Sequence, residues 1–365
     1  MLKSFLYILL FTAHLISAEA SAFADMDFIR VGDDKKTFVH ETTKQRYIPF
    51  GFNYDHDETG RLLEDYWLDE WKKVEEDFAE MKALGATVVR IHIQFGKFMK
   101  SETEPDETSL KQLEKLLILA EKTGLYLDLT GLGCYHKKDV PPWYDALDEA
   151  ARWKAQAAFW EAVAKTCAKS PAIFCYDLMN EPVAAGGKRT DWLAGAFGGK
   201  HFVQFISLDL GTRKNHEVAK AWIDQLVAAI RKHDKKHLIT VGMVDWSLDR
   251  PGLKSGFFPD KVADNLDFIA VHIYPESKKP DHAMETLKGF DIGKPIIIEE
   301  IFPLKCSIEE LSKFIDDSKA HATGWIGFYW GRTIEEYGDA KTFGEAVTKA
   351  WLELFVKKAK EMQPE

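Results

Sequence analysis

The chain has 365 residues, with 48 lysines and arginines against 58 aspartates and glutamates, a formal net charge of −10. That balance excludes a protein organised around nucleic acid, because no basic stripe is available to displace counterions from a polyanion. A hydrophobic content of 46% is that of a globular protein with a real core, and the length alone allows two domains or one large barrel.

Residues 1–24 read as a secretory signal. Lys3 supplies the positive start, residues 5–16 form the apolar run, and small-x-small cleavage sites follow at Ala18-Glu19-Ala20 and Ala22-Phe23-Ala24. The run is too short to span a bilayer and no later segment is long enough, so stable membrane insertion is not expected. The mature chain, residues 25–365, is therefore read as one exported domain, periplasmic or extracellular. Cys134, Cys167, Cys175 and Cys306 are widely spaced without metal-type pairing, which argues for buried free thiols and against a zinc site.

Residues 27–31 and 37–47 suit an N-terminal β-hairpin turning at Gly32-Asp33-Asp34. Strand-like runs follow at 47–53, 87–93, 125–130, 173–179, 237–243, 268–273, 295–299 and 324–329. Amphipathic runs at 67–84, 109–123, 149–168, 216–233, 308–319 and 343–358 have the period of helices packed on a sheet. About eight β/α units with parallel crossovers point to an α/β protein built as a closed (β/α)8 TIM barrel. A doubly wound open sheet would need a glycine fingerprint after the first strand, and Gly51-Phe52-Asn53-Tyr54 is not one. Residues 183–215 interrupt the pattern with Gly186, Gly187, Gly195, Gly198, Gly199 and Gly211 and show no period. Such a long insertion after the fourth strand emerges on the C-terminal rim and is read as a loop walling a cleft. Trp192 and Phe202 in it serve either as cleft contacts or as anchors.

The fourth strand, Phe174-Cys175-Tyr176-Asp177-Leu178-Met179, delivers Asn180-Glu181 and is stopped by Pro182. The seventh repeats the arrangement, with Pro295-Ile296-Ile297-Ile298 leading into Glu299-Glu300. Short apolar runs of this kind are buried parallel strands, and barrels keep their chemistry at the C-terminal ends of such strands. Two carboxylates on two strand ends are the minimum equipment for hydrolysing a glycosidic bond. Neighbouring strand residues point to opposite faces, so only one of Glu299 and Glu300 can face the barrel axis unless the strand bulges.

On these motifs the chain resembles glycoside hydrolase family 5, the cellulase and mannanase family of the retaining (β/α)8 glycosidases, over about residues 47–355. The resemblance implies that Glu181 is the general acid/base and Glu300 the nucleophile, with Glu299 a supporting carboxylate. Arg90, in Val88-Val89-Arg90-Ile91-His92-Ile93, matches the family's second-strand arginine. Inside a β-branched run it is costly to bury without a charged partner, and Glu300 would be that partner. Asn180 matches the residue that binds the sugar 2-hydroxyl. His272 and Tyr274 match the sixth-strand pair beside the nucleophile, and Trp330 matches the eighth-strand aromatic under the sugar. One departure is visible: the family's third-strand histidine is replaced by Thr130, and His136, with Trp143 nearby, is the candidate to compensate. Tyr54, His56 and Trp246 are further strand-end candidates for substrate contact.

The resemblance implies an exported retaining β-glycosidase acting on an oligo- or polysaccharide, β-glucan or mannan, without metal or organic cofactor. Exo action on short oligosaccharides stays open if the insertion closes the cleft, as does a non-catalytic carbohydrate-binding barrel. Oligomeric state is left open by the sequence.

Overall fold

The computed structural model describes residues 26–362, so the expected signal at 1–24 lies outside the described residues. Eight parallel strands close into a barrel: Phe50–Asn53, Val88–Gln94, Tyr126–Gly133, Ile173–Asn180, Leu238–Val244, Ile269–His272, Ile296–Glu300 and Gly324–Phe328. They are numbered first to eighth below. The eighth returns to the first with Trp325 opposite Phe50 and Phe328 opposite Asn53. The second to fifth strands are buried along their whole length, which is why they read as apolar runs rather than alternating ones.

The major helices of the outer layer are Trp71–Ala83, Glu107–Thr123, Glu149–Cys167, Asn215–Arg231, Pro280–Gly289, Ile308–Ser318 and Phe343–Met362. Their starts are written locally. Asp106 accepts from the Ser109 amide, Asp148 from that of Ala151, and Ser307 exchanges a reciprocal capping box with Glu310. Two elements differ from the sequence reading. The first helix begins at Trp71 rather than 67, because Leu63–Asp65 forms a separate 3-10 turn. Pro280–Gly289 is a helix too short to show a full apolar period in the sequence.

The expected hairpin gains a third strand: Ile29–Val31, Phe38–His40 and Arg46–Tyr47 form one antiparallel sheet. Ile29, Phe38 and Tyr47 pack with Val88, Phe174, Leu238, Phe268, Ile297 and Ile326, all near the start of the barrel strands or just before them. This sheet seals the N-terminal mouth, leaving the C-terminal rim for a site.

The insertion is not the structureless loop expected. Pro182–Val183, Leu193–Phe197 and Lys200–Phe205 form a second small sheet, the last two as a hairpin turning at Gly198-Gly199, both at positive φ (57° and 79°). Its alternation is hidden in the sequence because one strand ends in the exposed, mostly small residues Gly195-Ala196-Phe197. The hairpin leans over the third strand through His201 N to Tyr135 O at 2.8 Å and Gln204 Nε2 to Leu132 O at 2.9 Å.

Phe38 is fully buried, edge-on to Phe174 and Phe268 at 5.1 and 5.2 Å. Removing a buried ring of this kind costs about 3–5 kcal/mol. Phe38→Ala is expected to lose that much in urea unfolding; a loss under about 1 kcal/mol would mean that the sheet does not plug the barrel.

Candidate active site

The site is organised around Arg90. The second strand buries this guanidinium completely inside the barrel, where an unpaired cation would be prohibitive. Its Nη1 donates to Asn53 Oδ1 (2.9 Å) and Glu300 Oε1 (2.8 Å), and its Nη2 to Asp177 Oδ2 (2.8 Å) and Asn180 Oδ1 (3.0 Å). Glu299 Oε2 lies 3.5 Å from Nη2. One side chain thus ties the ends of the first, second, fourth and seventh strands together.

Glu299 and Glu300 both face this cluster because the ladder bulges. Val271 is opposite Ile298, but the next residue, His272, is opposite Glu300, so Glu299 is skipped. A similar shift sets Thr240 opposite Asp177 and Gly242 opposite Asn180. Gly242 gives these groups room: a Cβ there would lie 3.0 Å from both Glu299 Oε2 and His272 Nε2. Beyond that shift, Glu181 adopts φ 47°, a left-handed conformation costly for a non-glycine residue. It is held by Glu181 N to Gly242 O (2.9 Å) and Gln204 N to Glu181 O (3.3 Å), the second bond coming from the inserted hairpin.

Glu181 and Glu300 approach each other across the cleft. One oxygen of each lies within 4.8 Å of the other and of a His272 ring nitrogen. Their surroundings differ. Glu300 accepts from Arg90 and from the Tyr274 hydroxyl at 2.6 Å. Glu181 Oε1 is 3.0 Å from His272 Nδ1, and burial pushes its pKa above the ordinary carboxyl value against the pull of that ring. For His272, burial alone would favour the neutral ring. Glu300, Glu181 and Glu299 outweigh it and raise the pKa to about 10, so the ring is an imidazolium at neutral pH. As a double donor it faces Glu181 through Nδ1 and Glu299 through Nε2 at 3.3 Å. Burial also opposes ionisation of Glu299, but Arg90 and His272 hold it below its usual value, while burial and the Glu299 charge push Asp128 well above its own.

The structure brings Glu181, Glu300, Arg90, Asn180, His272 and Tyr274 together. Trp330 stands beside them, its Nε1 donating to His56 Nε2 at 2.8 Å, stacked on Phe328 at 5.4 Å. Asn180 spends one amide hydrogen on Phe202 O (2.9 Å). A cavity of about 950 Å³ joins Glu181, Glu300, Tyr274 and Trp330 to His56, His92, Phe202 and Lys200.

Three expected substrate contacts lie elsewhere. Tyr54 follows the inward-facing Asn53, so it points outward; it is buried, donates to Asp77 and accepts from Tyr66 OH at 2.8 Å. His136 sits half-exposed where the 3-10 turn Lys137–Asp139 begins, outside the cavity lining. Trp143, in the short helix Pro142–Asp145, packs on Phe95 at 5.8 Å beside a separate hollow lined by Ser101, Glu102 and Thr103. Trp246 is also absent from the lining, and Trp192 is an anchor, its ring under Arg152 at 4.4 Å. The place of the absent third-strand histidine is filled differently: Thr130 donates to Asp177 Oδ2 at 2.7 Å, steadying the carboxylate that holds Arg90.

Reading the sequence does not single out His92, Asp177 or Lys200. A polar side chain inside an apolar strand was the available signal for the first two, since it must find a partner when buried.

His272 is protonated up to about pH 10 in the folded protein, against 6.5 for the free ring. The stability it brings is therefore complete below pH 6.5 and is lost as pH rises toward and through about 10. The stability difference between wild type and His272→Gln in urea unfolding is expected to shrink across that range; a constant difference would show the ring to be neutral throughout.

A family model described as cellulase (glycosyl hydrolase family 5) matches residues 47–333. Mannan endo-1,4-β-mannosidase A of Emericella nidulans is 25% identical over 282 residues, 70% of this chain and 63% of that protein, so the chain spans less than two thirds of this relative. The solved exo-β-1,4-mannosidase of Opitutaceae bacterium strain TAV5 is similar in fold, with TM-score 0.67 at 18% identity, covering 91% of this chain and 63% of that one. The β-1,4-mannanase of the sea hare Aplysia kurodai gives TM-score 0.61 at 17% identity, covering 87% and 95%. A family match across most of the sequence settles the ancestry of the barrel: the chain belongs to glycosyl hydrolase family 5, the cellulase family.

Proposed function

We propose that this protein is a retaining β-glycosidase acting on β-1,4-linked mannosyl oligo- or polysaccharides, with Glu181 as general acid/base and Glu300 as nucleophile. The observation that carries the reading is that one oxygen of Glu181 lies within 4.8 Å of one oxygen of Glu300 across one cleft. Retaining enzymes hold the pair about 5–5.5 Å apart, whereas inverting ones leave about 6.5–9.5 Å for a water. The mannosyl preference is supported by the relatives, whose names specify mannan or β-mannoside cleavage.

In the first step Glu300 attacks the anomeric carbon while Glu181 gives its proton to the departing oxygen. Arg90 and the Tyr274 hydroxyl orient the attacking carboxylate, each holding one of its oxygens. Ester formation removes the charge on Glu300, so the proton affinity of Glu181 falls. Glu181 then takes a proton from the water that cleaves the glycosyl-enzyme, returning both carboxyl groups to their starting states. The His272 imidazolium stabilises Glu181 when it is charged, through the 3.0 Å contact. The family resemblance assigns Asn180 to the sugar 2-hydroxyl and Trp330 to the apolar face of the sugar ring. The enzyme is read as exported on the signal at 1–24, with 25–365 as one catalytic domain.

Glu300→Gln is expected to abolish turnover. Glu181→Gln should lose about 10²–10⁴-fold on mannan yet retain the first step on aryl mannosides with very good leaving groups. Proton NMR of fresh hydrolysate should show the β-anomer first, and an α-anomer would overturn the mechanism. Glu181 must begin protonated, so kcat/KM should fall as pH rises through its elevated pKa, a limb absent from Glu181→Gln.

A further inference from the structure

Lys200 is 7% exposed, lines the catalytic cavity, and has no acidic group within ion-pair distance of its ammonium among the described residues. Of the acidic side chains in the nearby first-strand loop, Asp57 is engaged by Arg61 and Lys73, at 2.9 and 3.0 Å, and Glu58 by Lys73 at 3.0 Å. Asp55, 4% exposed, lines the same cavity; one of its oxygens lies 2.9 Å from His56 Nδ1, and its charge, like that of Asp57, acts on Lys200. With no acid in ion-pair contact, the ammonium is left to find its acceptors in the cavity that Lys200 lines.

The location matters as much as the charge. Lys200 opens the second strand of the inserted hairpin, which rises from the fourth strand and crosses the third. Its Nζ reaches the first-strand loop, where a Cβ built on Gly60 would be 3.9 Å away. The hairpin and the first-strand loop therefore approach each other beside the cavity, where Lys200 comes up to Gly60. Accepting a chain internally requires a cleft open at both ends.

Resting on the proposed glycosidase activity, we infer that Lys200 and Asp55 form an end wall that reads neighbouring hydroxyls of a terminal neutral sugar, so that the enzyme works from a chain end. The ammonium donates to one hydroxyl oxygen and the Asp55 carboxylate accepts from the next. An anionic sugar is disfavoured, because Asp55, Asp57, Glu58, Glu300 and Glu345 line the same cavity against only Lys200 and Arg332.

The test uses the full-length enzyme with β-1,4-mannopentaose labelled at its reducing end. Wild type is expected to release one small product repeatedly and leave a ladder of shortened labelled chains; early internal fragments in random proportion would overturn the end wall. Lys200→Met should raise KM about 10- to 100-fold, the loss of one hydrogen bond to a charged group, and Lys200→Arg should recover part of it. Unchanged KM in a Lys200→Met protein of wild-type melting temperature would sink the assignment while leaving the glycosidase reading intact. If wild type cleaves no aryl β-glycoside, that reading fails by itself. Calorimetric titration of mannotriose into wild type and Lys200→Met then decides the site: tenfold weaker binding supports it, equal binding overturns it.

Discussion

A single buried guanidinium fixes the relative positions of everything else in the cleft. Arg90 is inside the barrel, and its charge is tolerated only because Glu300, Asp177 and Glu299 surround it. The dependence is mutual: without the cation, these carboxylates would repel one another in a water-poor interior. The cost of burying these charges is met by geometry, since each strand end must arrive at one register for all the hydrogen bonds to form. The bulge at Glu299 and the close approach at Gly242 are the local distortions that make this register possible.

The two principal carboxylates differ for reasons that can be traced to the chain. Glu300 lies within the seventh strand and receives two donors. Glu181 lies one residue past the fourth strand in a strained conformation, with burial favouring its neutral form. Their inequality at rest therefore comes from where each strand stops. The adjacent hairpin also bears on it, because Gln204 holds the Glu181 carbonyl from that side.

The barrel was legible because its strands are buried on both faces and its helices on one, which imposes distinct periods on the sequence. Glu181 and Glu300 stood out as carboxylates at the ends of buried strands, Arg90 as a charge inside a β-branched run that the family resemblance also picks out, and Trp330 through that resemblance alone. Tyr54 misled because the inward and outward alternation at Asn53 cannot be phased without the barrel. His136 and Trp143 misled because a loop's path is not encoded by periodicity, and the structure supports Asp177 with Thr130 instead. The inserted hairpin was hidden by glycines that are turn residues at Gly198-Gly199, where they had been read as marks of irregular chain. Lys200 could not be found at all: an unpaired lysine is defined by what fails to surround it.

The plug beneath the barrel carries a consequence for how the protein is made. Phe38 rests on Phe268, 230 positions further along the chain, and shares a cluster with Ile326 on the closing strand. These are contacts of very high sequence separation, whose loop-closure entropy must be overcome before they contribute anything. The N-terminal sheet therefore cannot complete its docking until the sixth and eighth strands are in place. The plug thus closes late in folding, after the barrel strands that it caps have come together.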